Sequence, residues 1–474
     1  MADDQTIRTA ETAEARRLFE VQHRASRAER VPDAALRRDR LARLRSVVAG
    51  QEAAFARAIS DDFGVRSRTE TELLEIVPTL NAIKYARRKL GGWMKPERRH
   101  VSATFQPARA WVRWEPLGVI GIISPWNYPL QLAISPLVDA IAAGNRAMVK
   151  PSELTPAFSD LLKRLIAERF DEVELAVVTG GVEVGQYFAS LPFDHLLFTG
   201  STAVGRKVYQ AAAANLTPVT LELGGKSPAI VCPDYALDKA AKSIAFGKFV
   251  NAGQTCIAPD YVLVPRGREE AFAQALMAQV RASYPTLGGN DDYSGVISPR
   301  HRERLERAVA EAKEAGARVL VHEDEAGKAE GKVGPTLVLG APENVLFLTE
   351  EIFGPVLPIV PYDGLDQAID FVNRRDRPLA LYCFSRDRRQ HDRVLDATLS
   401  GGVTLNGTLL HVAQESLPFG GVGPSGIGAY HGREGFRRFS HARAVHKVGF
   451  VNVFEKIGPP WGGMAKRFGR MLAK

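Results

Sequence analysis

One cysteine of the chain lies in surroundings that suit a nucleophile. Cys256 follows a helical run and stands among small residues in Asn251-Ala-Gly-Gln-Thr-Cys256. The other two cysteines, Cys232 and Cys383, lie within apolar runs that predict buried strands, where a thiol behaves as a small inert hydrophobe. A lone loop cysteine is more often structural than catalytic. A thiolate that attacks a carbonyl carbon also requires a base and a donor for the oxyanion, so these must be found elsewhere.

Two residues could supply these groups. Glu222 lies in Glu222-Leu-Gly-Gly225, where the glycines would give the carboxylate a flexible backbone and let water approach, so we expect a general base there. Asn127, in Ser124-Pro-Trp-Asn-Tyr-Pro129, offers a side-chain amide at the tip of a predicted strand. That amide suits an oxyanion, together with the backbone N–H of Cys256. Taken separately, either residue could be an ordinary turn residue.

Further polar turns favour a nucleotide ligand. Phe198-Thr-Gly-Ser-Thr-Ala-Val-Gly205 places small residues where a strand passes into a helix, so backbone N–H groups and the helix dipole could bind a pyrophosphate. The spacing is not G-x-G-x-x-G and is weak evidence alone. Lys150 and Glu153 follow another strand, and a Glu there suits ribose hydroxyls while repelling an added 2′-phosphate. A P-loop before Lys226 is excluded because position 220 is Thr220.

The composition is that of a globular protein. With 474 residues and 45% apolar content, the chain can form two or three domains. Three cysteines cannot build a disulfide framework, and no secretory signal is visible, so we expect a cytoplasmic protein. No apolar run reaches ~20 residues, which argues against an integral membrane protein. The net charge is +8, but the basic residues are scattered among acids, which disfavours a nucleic-acid partner. No metal site is expected.

The apolar periodicity predicts an α/β fold in two parts. Residues 11–63 have helical spacing, and residues 101–112 read as an extended arm or a hairpin strand. Strands and helices then alternate from 119 to 200, which predicts βαβ units and a parallel sheet with Ser124, Lys150 and Gly200 at the carboxyl ends of its strands. A second alternation, from 228 to 406, predicts a second α/β domain that carries Cys256.

Seven ordered motifs together resemble those of the aldehyde dehydrogenase superfamily, over roughly residues 15–450. They are Pro125-Trp-Asn-Tyr-Pro129, Lys150-Pro-Ser-Glu153, Phe198-Thr-Gly-Ser-Thr-Ala-Val-Gly205, Glu222-Leu-Gly-Gly225, Gly253-Gln-Thr-Cys256, Glu351-Ile-Phe-Gly-Pro355 and Leu417-Pro-Phe-Gly-Gly421. Tyr128, Ser400-Gly-Gly-Val-Thr-Leu-Asn406 and Ser440-His-Ala-Arg443 are similar to the class 3 and coniferyl-aldehyde dehydrogenase branch.

The resemblance implies an aldehyde dehydrogenase-like α/β fold. A Rossmann-type NAD(P)-binding domain would comprise residues 1–100 and 119–222, and a catalytic domain residues 223–408. A bridging β-arm would comprise residues 101–118 and 425–452, followed by a tail, 453–474. In that family the arm pairs subunits into dimers, so a homodimer is implied.

The resemblance also implies roles. Cys256 would attack an aldehyde, Asn127 and the Cys256 N–H would hold the oxyanion, and Glu222 would activate the water that hydrolyses the thioester to a carboxylic acid. Glu351 is the alternative base, and the sequence leaves that choice open. The cofactor would be NAD, with NADP possible. Its binding residues would be Ser124, Trp126, Lys150, Ser152, Glu153, Gly200, Ser201, Gly205, Leu223, Glu351 and Phe353.

The predicted substrate pocket is apolar. Ile257 follows the nucleophile, and Tyr128 and Phe419 would add aromatic walls, which favours an aromatic aldehyde such as coniferyl aldehyde, or a medium-chain aliphatic one. The same side chains could instead pack the core. Two rivals remain: a CoA-acylating enzyme, against which Glu222 argues, and a protein that keeps the fold without turnover. The tail mixes basic and apolar residues, and could lie on a membrane surface or pack on a subunit.

Overall fold

The computed structural model describes residues 2–473, with side chains described from residue 9 onwards. Within that range the strands are β1 Glu97–Arg99, β2 Arg109–Pro116, β3 Val119–Ile123, β4 Arg146–Lys150, β5 Leu175–Val177, β6 His195–Thr199, β7 Val219–Glu222, β8 Pro228–Val231, β9 Tyr261–Pro265, β10 Arg318–Val321, β11 Thr336–Leu339, β12 Val356–Tyr362, β13 Ala380–Phe384, β14 Gly402–Leu405, β15 Gly426–Ile427 and β16 Ser440–Lys447.

The helices of the same range cover the sheets. They are α1 Ala2–Ala28, α2 Ala34–Val48, α3 Glu52–Phe63, α4 Arg68–Thr71, α5 Val77–Trp93, α6 Pro129–Ala143, α7 Pro156–Ala167, α8 Val182–Ala189, α9 Thr202–Ala213, α10 Leu237–Phe249, α11 Glu269–Ser283, α12 Pro299–Glu314, α13 Glu325–Ala329, α14 Leu346–Thr349, α15 Leu365–Asn373, α16 Arg388–Ala397, α17 Gly432–Arg438, α18 Val453–Lys456 and α19 Gly463–Leu472. Among these residues, none of the helices combines the length and hydropathy that crossing a bilayer requires.

The first sheet is built from βαβ units. Its strand order is β15-β7-β6-β3-β4-β5, and all pairs are parallel except β15 with β7. Parallel strands end at one edge, so Ser124, Lys150 and Gly200 meet there, as the alternation predicted. The edge strand β15 comes from the segment 425–452 that we expected in the arm, and it extends this sheet next to Glu222.

The second sheet positions the nucleophile. Its order is β10-β11-β12-β9-β8-β13-β14, parallel throughout except for β10. Cys256 lies in the loop between the short 3₁₀ turn Val250–Gly253 and β9, at the edge where α10 ends. Cys232 and Cys383 are fully buried beside β8 and within β13. The prediction that they belong to the core is confirmed.

A small third sheet forms the arm, in the order β1-β2-β16 and antiparallel throughout. Of the two interpretations of residues 101–112, the hairpin strand is confirmed for the end of the segment, which begins β2 and pairs antiparallel with β1, whereas Ala103–Phe105 form a 3₁₀ turn between the two strands. The tail contacts this arm where Phe454 stacks on Phe105, with 5.0 Å between ring centroids. In α19, Met464 and Met471 remain exposed in the single chain.

Candidate active site

A run of left-handed backbone shapes the nucleophile loop. Asn251, Ala252 and Gly253 have φ of 50°, 50° and 73°, a region that residues with a Cβ rarely adopt. A methyl group at Gly253 would also collide with the carbonyl oxygen of Gly354. Only glycine fits there, and the loop of Cys256 therefore lies directly against the loop that carries Glu351.

Gln254 locks this loop in place. Its side chain is fully buried, and Nε2 donates to the carbonyl oxygens of Asn251 (3.0 Å) and Gly295 (2.9 Å). Its Oε1 accepts a hydrogen bond from the backbone N–H of Ile297 (3.0 Å). The backbone before Cys256 is thus held from three sides, which preorganises the thiol. Sequence reasoning did not single out this residue.

Asn127 lies against the same loop. Its Nδ2 donates to the carbonyl oxygen of Gln254 (3.0 Å), and its side chain is buried. Its own carbonyl oxygen accepts from Asn251 Nδ2 (2.9 Å) and from Arg66 Nη1 (2.8 Å). An amide nitrogen carries two hydrogens, so one N–H of Asn127 fixes the loop and the other is free to act as a donor.

A buried ion pair supports Asn127 from behind. Arg66 Nη1 lies 3.1 Å from Glu75 Oε1, and neither side chain is exposed to solvent. Glu75 also accepts from the N–H groups of Leu130 (2.8 Å) and Gln131 (3.2 Å) at the start of α6. An anion at a helix N-terminus complements the helix dipole. No sequence signal set this arginine apart from the many scattered ones.

A small apolar cavity opens beside the thiol. This thiol cavity has a volume of about 140 Å³ and is lined mainly by apolar and aromatic side chains. All three residues predicted for the substrate pocket lie on it, with Tyr128 bonding through its hydroxyl to Thr255 Oγ1 at 2.7 Å. The lining residues include Leu73, Tyr128, Leu132, Phe246, Cys256, Ile257, Leu409, Val412, Phe419, Tyr430 and His431.

Glu222 is more enclosed than we expected. It ends β7, which pairs with β6 on one side and with β15 on the other, and only 2% of it is exposed. The expectation of a flexible backbone at this residue was wrong, because both neighbouring strands hold it. Neither carboxylate oxygen has a hydrogen-bond partner. Burial therefore raises the pKa of Glu222 well above its ordinary value.

Glu351 is the second carboxyl near the thiol, and its residue is only partly buried. Burial, followed by the charge of Asp260, raises the pKa of Glu351 to about 8. The hydrogen bond from the N–H of Gly225 and the charges of Lys226 and Lys248 lower this pKa but do not offset the rise. The Glu351 carboxylate fills the space where a side chain at Gly224 would lie. A side chain at Gly224 would have to displace this carboxylate.

Both carboxyls act on the nucleophile. Burial first, and then the charges of Glu351 and Glu222, raise the pKa of the Cys256 thiol to about 12. The thiol is consequently neutral in the resting site. A base must take its proton, or the attack must be coupled to proton transfer.

A larger cavity lies at the carboxyl ends of the first sheet. This strand-end cavity has a volume of about 450 Å³. Seven of the predicted cofactor residues line it: Ser124, Trp126, Lys150, Ser152, Glu153, Gly200 and Ser201. Its polar groups are of two kinds. Lys150 Nζ is held by Glu153 Oε2 at 3.0 Å, whereas the buried hydroxyls of Ser124 and Thr199 have no hydrogen-bond partner.

These groups fit a polar ligand. Unpaired buried hydroxyls are rare and suit a bound group that completes their hydrogen bonds. Ser201 precedes α9 and caps it by accepting from the N–H of Val204 (3.4 Å), which leaves the first N–H groups of the helix for an anion. The residues present thus suit a dinucleotide whose phosphates lie at the start of α9 and whose ribose reaches Glu153.

The other four predicted cofactor residues lie off this wall. Gly205 and Leu223 support it, because a Cβ at Gly205 would come within 2.6 Å of the Leu223 side chain. Glu351 lies under Gly224, and Phe353 packs edge-on against Trp126 at 5.4 Å. Trp126 therefore stands between Phe353 and the strand-end cavity.

His301 is a lining residue that sequence reasoning missed. It lies on α12, far from the motifs, and packs edge-on against Trp126 with 5.3 Å between ring centroids. Its Nδ1 is within 2.8 Å of Ser298 Oγ. Nothing in the local sequence around His301 distinguishes it from other surface histidines.

Comparison with known proteins decides the family. The model of the aldehyde dehydrogenase family matches residues 4–445, nearly the whole chain. The chain belongs to the aldehyde dehydrogenase family. A protein of Pseudomonas aeruginosa named probable coniferyl aldehyde dehydrogenase is 52% identical over 445 residues, 94% of this chain and 93% of that one.

Solved structures agree with this assignment. Staphylococcus aureus AldH in a substrate-bound state has a TM-score of 0.91 and 38% identity, covering 97% of this chain and 99% of its own. An aldehyde dehydrogenase of Mycobacterium tuberculosis in complex with NAD⁺ has a TM-score of 0.80 and is 30% identical. The match covers 89% of this chain and 87% of that one. The aldehyde dehydrogenase-like α/β fold predicted from the seven motifs is confirmed.

Proposed function

We propose that this aldehyde dehydrogenase oxidises hydrophobic aldehydes, above all aromatic ones, to carboxylic acids through a thioester on Cys256, with NAD as its preferred cofactor. One observation carries the proposal. A single thiol in a small apolar cavity is influenced by the buried Glu222 and the partly buried Glu351, and the loop of that thiol contacts the loop that leads to the strand-end cavity. The nucleophile thus lines the cavity that would hold the substrate, and the proposed base lies close enough to affect the pKa of its thiol.

The first step is attack by the Cys256 sulfur on the aldehyde carbon, with loss of the thiol proton to a base. The carbonyl oxygen becomes an oxyanion, which the free N–H of Asn127 and the backbone N–H of Cys256 are suited to stabilise. A nicotinamide bound in the strand-end cavity would supply the acceptor for the hydride that leaves the thiohemiacetal carbon. The enzyme is then left with a thioester on Cys256.

The thioester is cleaved by water. Glu222 takes a proton from the water, whose oxygen bonds to the acyl carbon, and the sulfur leaves and regains a proton. The products are the carboxylic acid and the free thiol. We favour Glu222 over Glu351 as the base, because its oxygens have no other partner, whereas Glu351 receives the N–H of Gly225.

The cofactor preference rests on Glu153. A carboxylate at this point of the strand-end cavity would accept the hydroxyls of an adenosine ribose and repel a 2′-phosphate. Lys150 is already paired with Glu153, which leaves its charge partly neutralised. These two features support NAD. Lys207 also lines the cavity and is the residue through which NADP could still be accepted.

The arm supports a homodimer. The strand β16 is at the edge of the arm sheet, with its outer backbone groups unpaired by any other strand of residues 2–473. Such an edge is suited to pairing with a second copy of the chain. We assign residues 101–118 and most of 425–452 to this arm, residues 223–408 to the catalytic domain, and residues 1–100 and 119–222 to the cofactor domain.

The test is absorbance at 340 nm during incubation of the purified protein with benzaldehyde, cinnamaldehyde or hexanal, each with NAD or NADP. We expect NADH formation, fastest with the aromatic aldehydes, and its loss in Cys256→Ala. Addition of CoA separates the acylating rival: turnover that requires CoA would replace the hydrolytic proposal. No turnover under any of these conditions would contradict the proposed function.

A further inference from the structure

The thiol cavity contains a histidine that the proposed reaction does not use. His431 lines this cavity together with Cys256, and only 5% of the residue is exposed. Its ring Nδ1 is buried and has no hydrogen-bond partner. A buried polar atom without a partner costs free energy, which the fold tolerates mainly where a ligand or water completes the bond.

The backbone forces this histidine into place. His431 has φ of 84°, in the left-handed region that a residue with a Cβ seldom adopts. Its N–H donates to Asp139 Oδ2 (3.1 Å), and Asp139 is itself buried. The strained conformation is therefore held by a buried carboxyl group. Strain that the surroundings maintain in this way is characteristic of functional positions.

Aromatic neighbours fix the plane of the imidazole. The ring stacks on Phe419 with centroids 5.3 Å apart and planes 19° apart, and it meets Tyr430 edge-on at 4.6 Å. Burial lowers the pKa of His431 to about 4, so the ring is neutral and offers one N–H donor and one nitrogen acceptor. A flat, neutral ring in a fixed position is suited to form a hydrogen bond with a polar group on a flat substrate.

Three other polar residues of the cavity are paired with each other or open to water. Tyr128 and Thr255 bond to each other, and Gln131 is only half-buried, so its amide can be solvated by water. Most of the remaining wall is aliphatic or aromatic. His431 and Tyr430 are the buried polar side chains of the wall that remain, and of these two His431 carries a buried nitrogen without a hydrogen-bond partner.

We propose that His431 determines substrate specificity by hydrogen-bonding a hydroxyl group on the aromatic ring of the aldehyde, so that the enzyme prefers phenolic aldehydes to unsubstituted ones. This inference rests on the proposed function and refines its substrate class. Sites that hydrogen-bond a substrate hydroxyl discriminate against the analogue that lacks it, because their buried polar group is then left unpaired.

The experiment compares kcat/KM for 4-hydroxycinnamaldehyde and cinnamaldehyde, with hexanal as reference. In the wild type we expect a preference of about tenfold or more for the phenolic aldehyde. His431→Phe keeps a flat ring but removes both nitrogens, so the preference should fall to about one while hexanal is still oxidised. Val412→Ala is the matched control: it changes another part of the apolar wall and keeps both the ring nitrogens and the stack on Phe419, so the preference should persist.

Three outcomes decide the matter. A wild type without preference, or a preference that survives in His431→Phe, overturns the inference while leaving aldehyde oxidation intact. If His431→Phe does not fold, His431→Asn replaces it, because asparagine tolerates left-handed backbone and its shorter amide should weaken the preference. A wild type that oxidises none of the three aldehydes contradicts the proposed function itself, which is a different result.

Discussion

The strand-end cavity and the thiol cavity treat polar groups in opposite ways. The strand-end cavity is wide, and its hydroxyls and charges lie at the ends of strands or the start of a helix, where a ligand can complete their bonds. The thiol cavity has about a third of that volume, and burial raises the pKa values of the two carboxyls near it, Glu222 and the partly exposed Glu351. We therefore expect one cavity to bind a ligand and the other to carry out proton transfer at a cost in desolvation.

The largest effect is expected from Glu222→Gln, which removes the proposed base near Cys256. In Glu222→Gln the thioester should still form but hydrolyse slowly, so that kcat falls by about a thousandfold after an initial burst of NADH. Stopped-flow absorbance at 340 nm measures both phases. Glu415→Gln makes the same chemical change at another carboxyl with a raised pKa and should leave kcat near normal. An unchanged steady-state rate in Glu222→Gln would transfer the role of base to Glu351.

The next largest effect concerns the support of Asn127. Arg66→Met leaves Glu75 charged and unpaired in the interior, so we expect a loss of about 3 kcal/mol or more in the free energy of unfolding. Urea denaturation followed by tryptophan fluorescence measures it. The double variant Arg66→Met with Glu75→Leu removes both charges and should recover much of that loss. Equal free energies of unfolding for Arg66→Met and the wild type would show that the ion pair does not stabilise the fold.

The third prediction concerns the pH dependence of kcat, which reports on the ionisable groups near the thiol. Glu222 acts as a base only without its proton, and burial raises its pKa, so its active fraction grows as pH rises. The raised pKa of Cys256 acts in the same direction. From pH 7 to 8 we therefore expect kcat to rise by up to about tenfold, measured at saturating aldehyde and cofactor. A rate that falls over this interval would mean that neither group limits turnover.

The smallest effect concerns cofactor choice. Glu153→Gln keeps a hydrogen-bonding side chain and removes the charge that repels a 2′-phosphate. The ratio of kcat/KM for NAD to that for NADP should fall by roughly threefold to tenfold, mostly through a lower KM for NADP. Initial rates at varied cofactor concentration give the ratio. An unchanged ratio would assign the discrimination to a residue other than Glu153.

The strand-end side could be predicted from local sequence. Ser124, Lys150 and Gly200 each end a short apolar run, and parallel strands bring such ends together without knowledge of any side-chain contact. His301 on α12 carried no such signal. One parallel strand of the first sheet was not predicted, because its local signal is weak. The strand β7, Val219–Glu222, alternates apolar and polar residues before two glycines, so it read as a turn although both its edges are paired.

The thiol side could be predicted only in part. Cys256, Ile257 and Phe419 stand in recognisable motifs, but what holds them comes from distant segments. Arg66 meets the carbonyl of Asn127 across 61 positions, and His431 meets Asp139 across 292. Such contacts depend on how helices pack, and an arginine or a histidine in a polar run carries no mark of them.

The contact between Gly253 and Gly354 limits how this enzyme can change. Any side chain at Gly253 would collide with the neighbouring loop, so a library of variants that randomises residues 251–254 would consist mostly of inactive members. Leu409 and Val412 line the thiol cavity and do not share that constraint. An effort to broaden the range of aldehydes should vary those two positions and leave the glycine contact untouched.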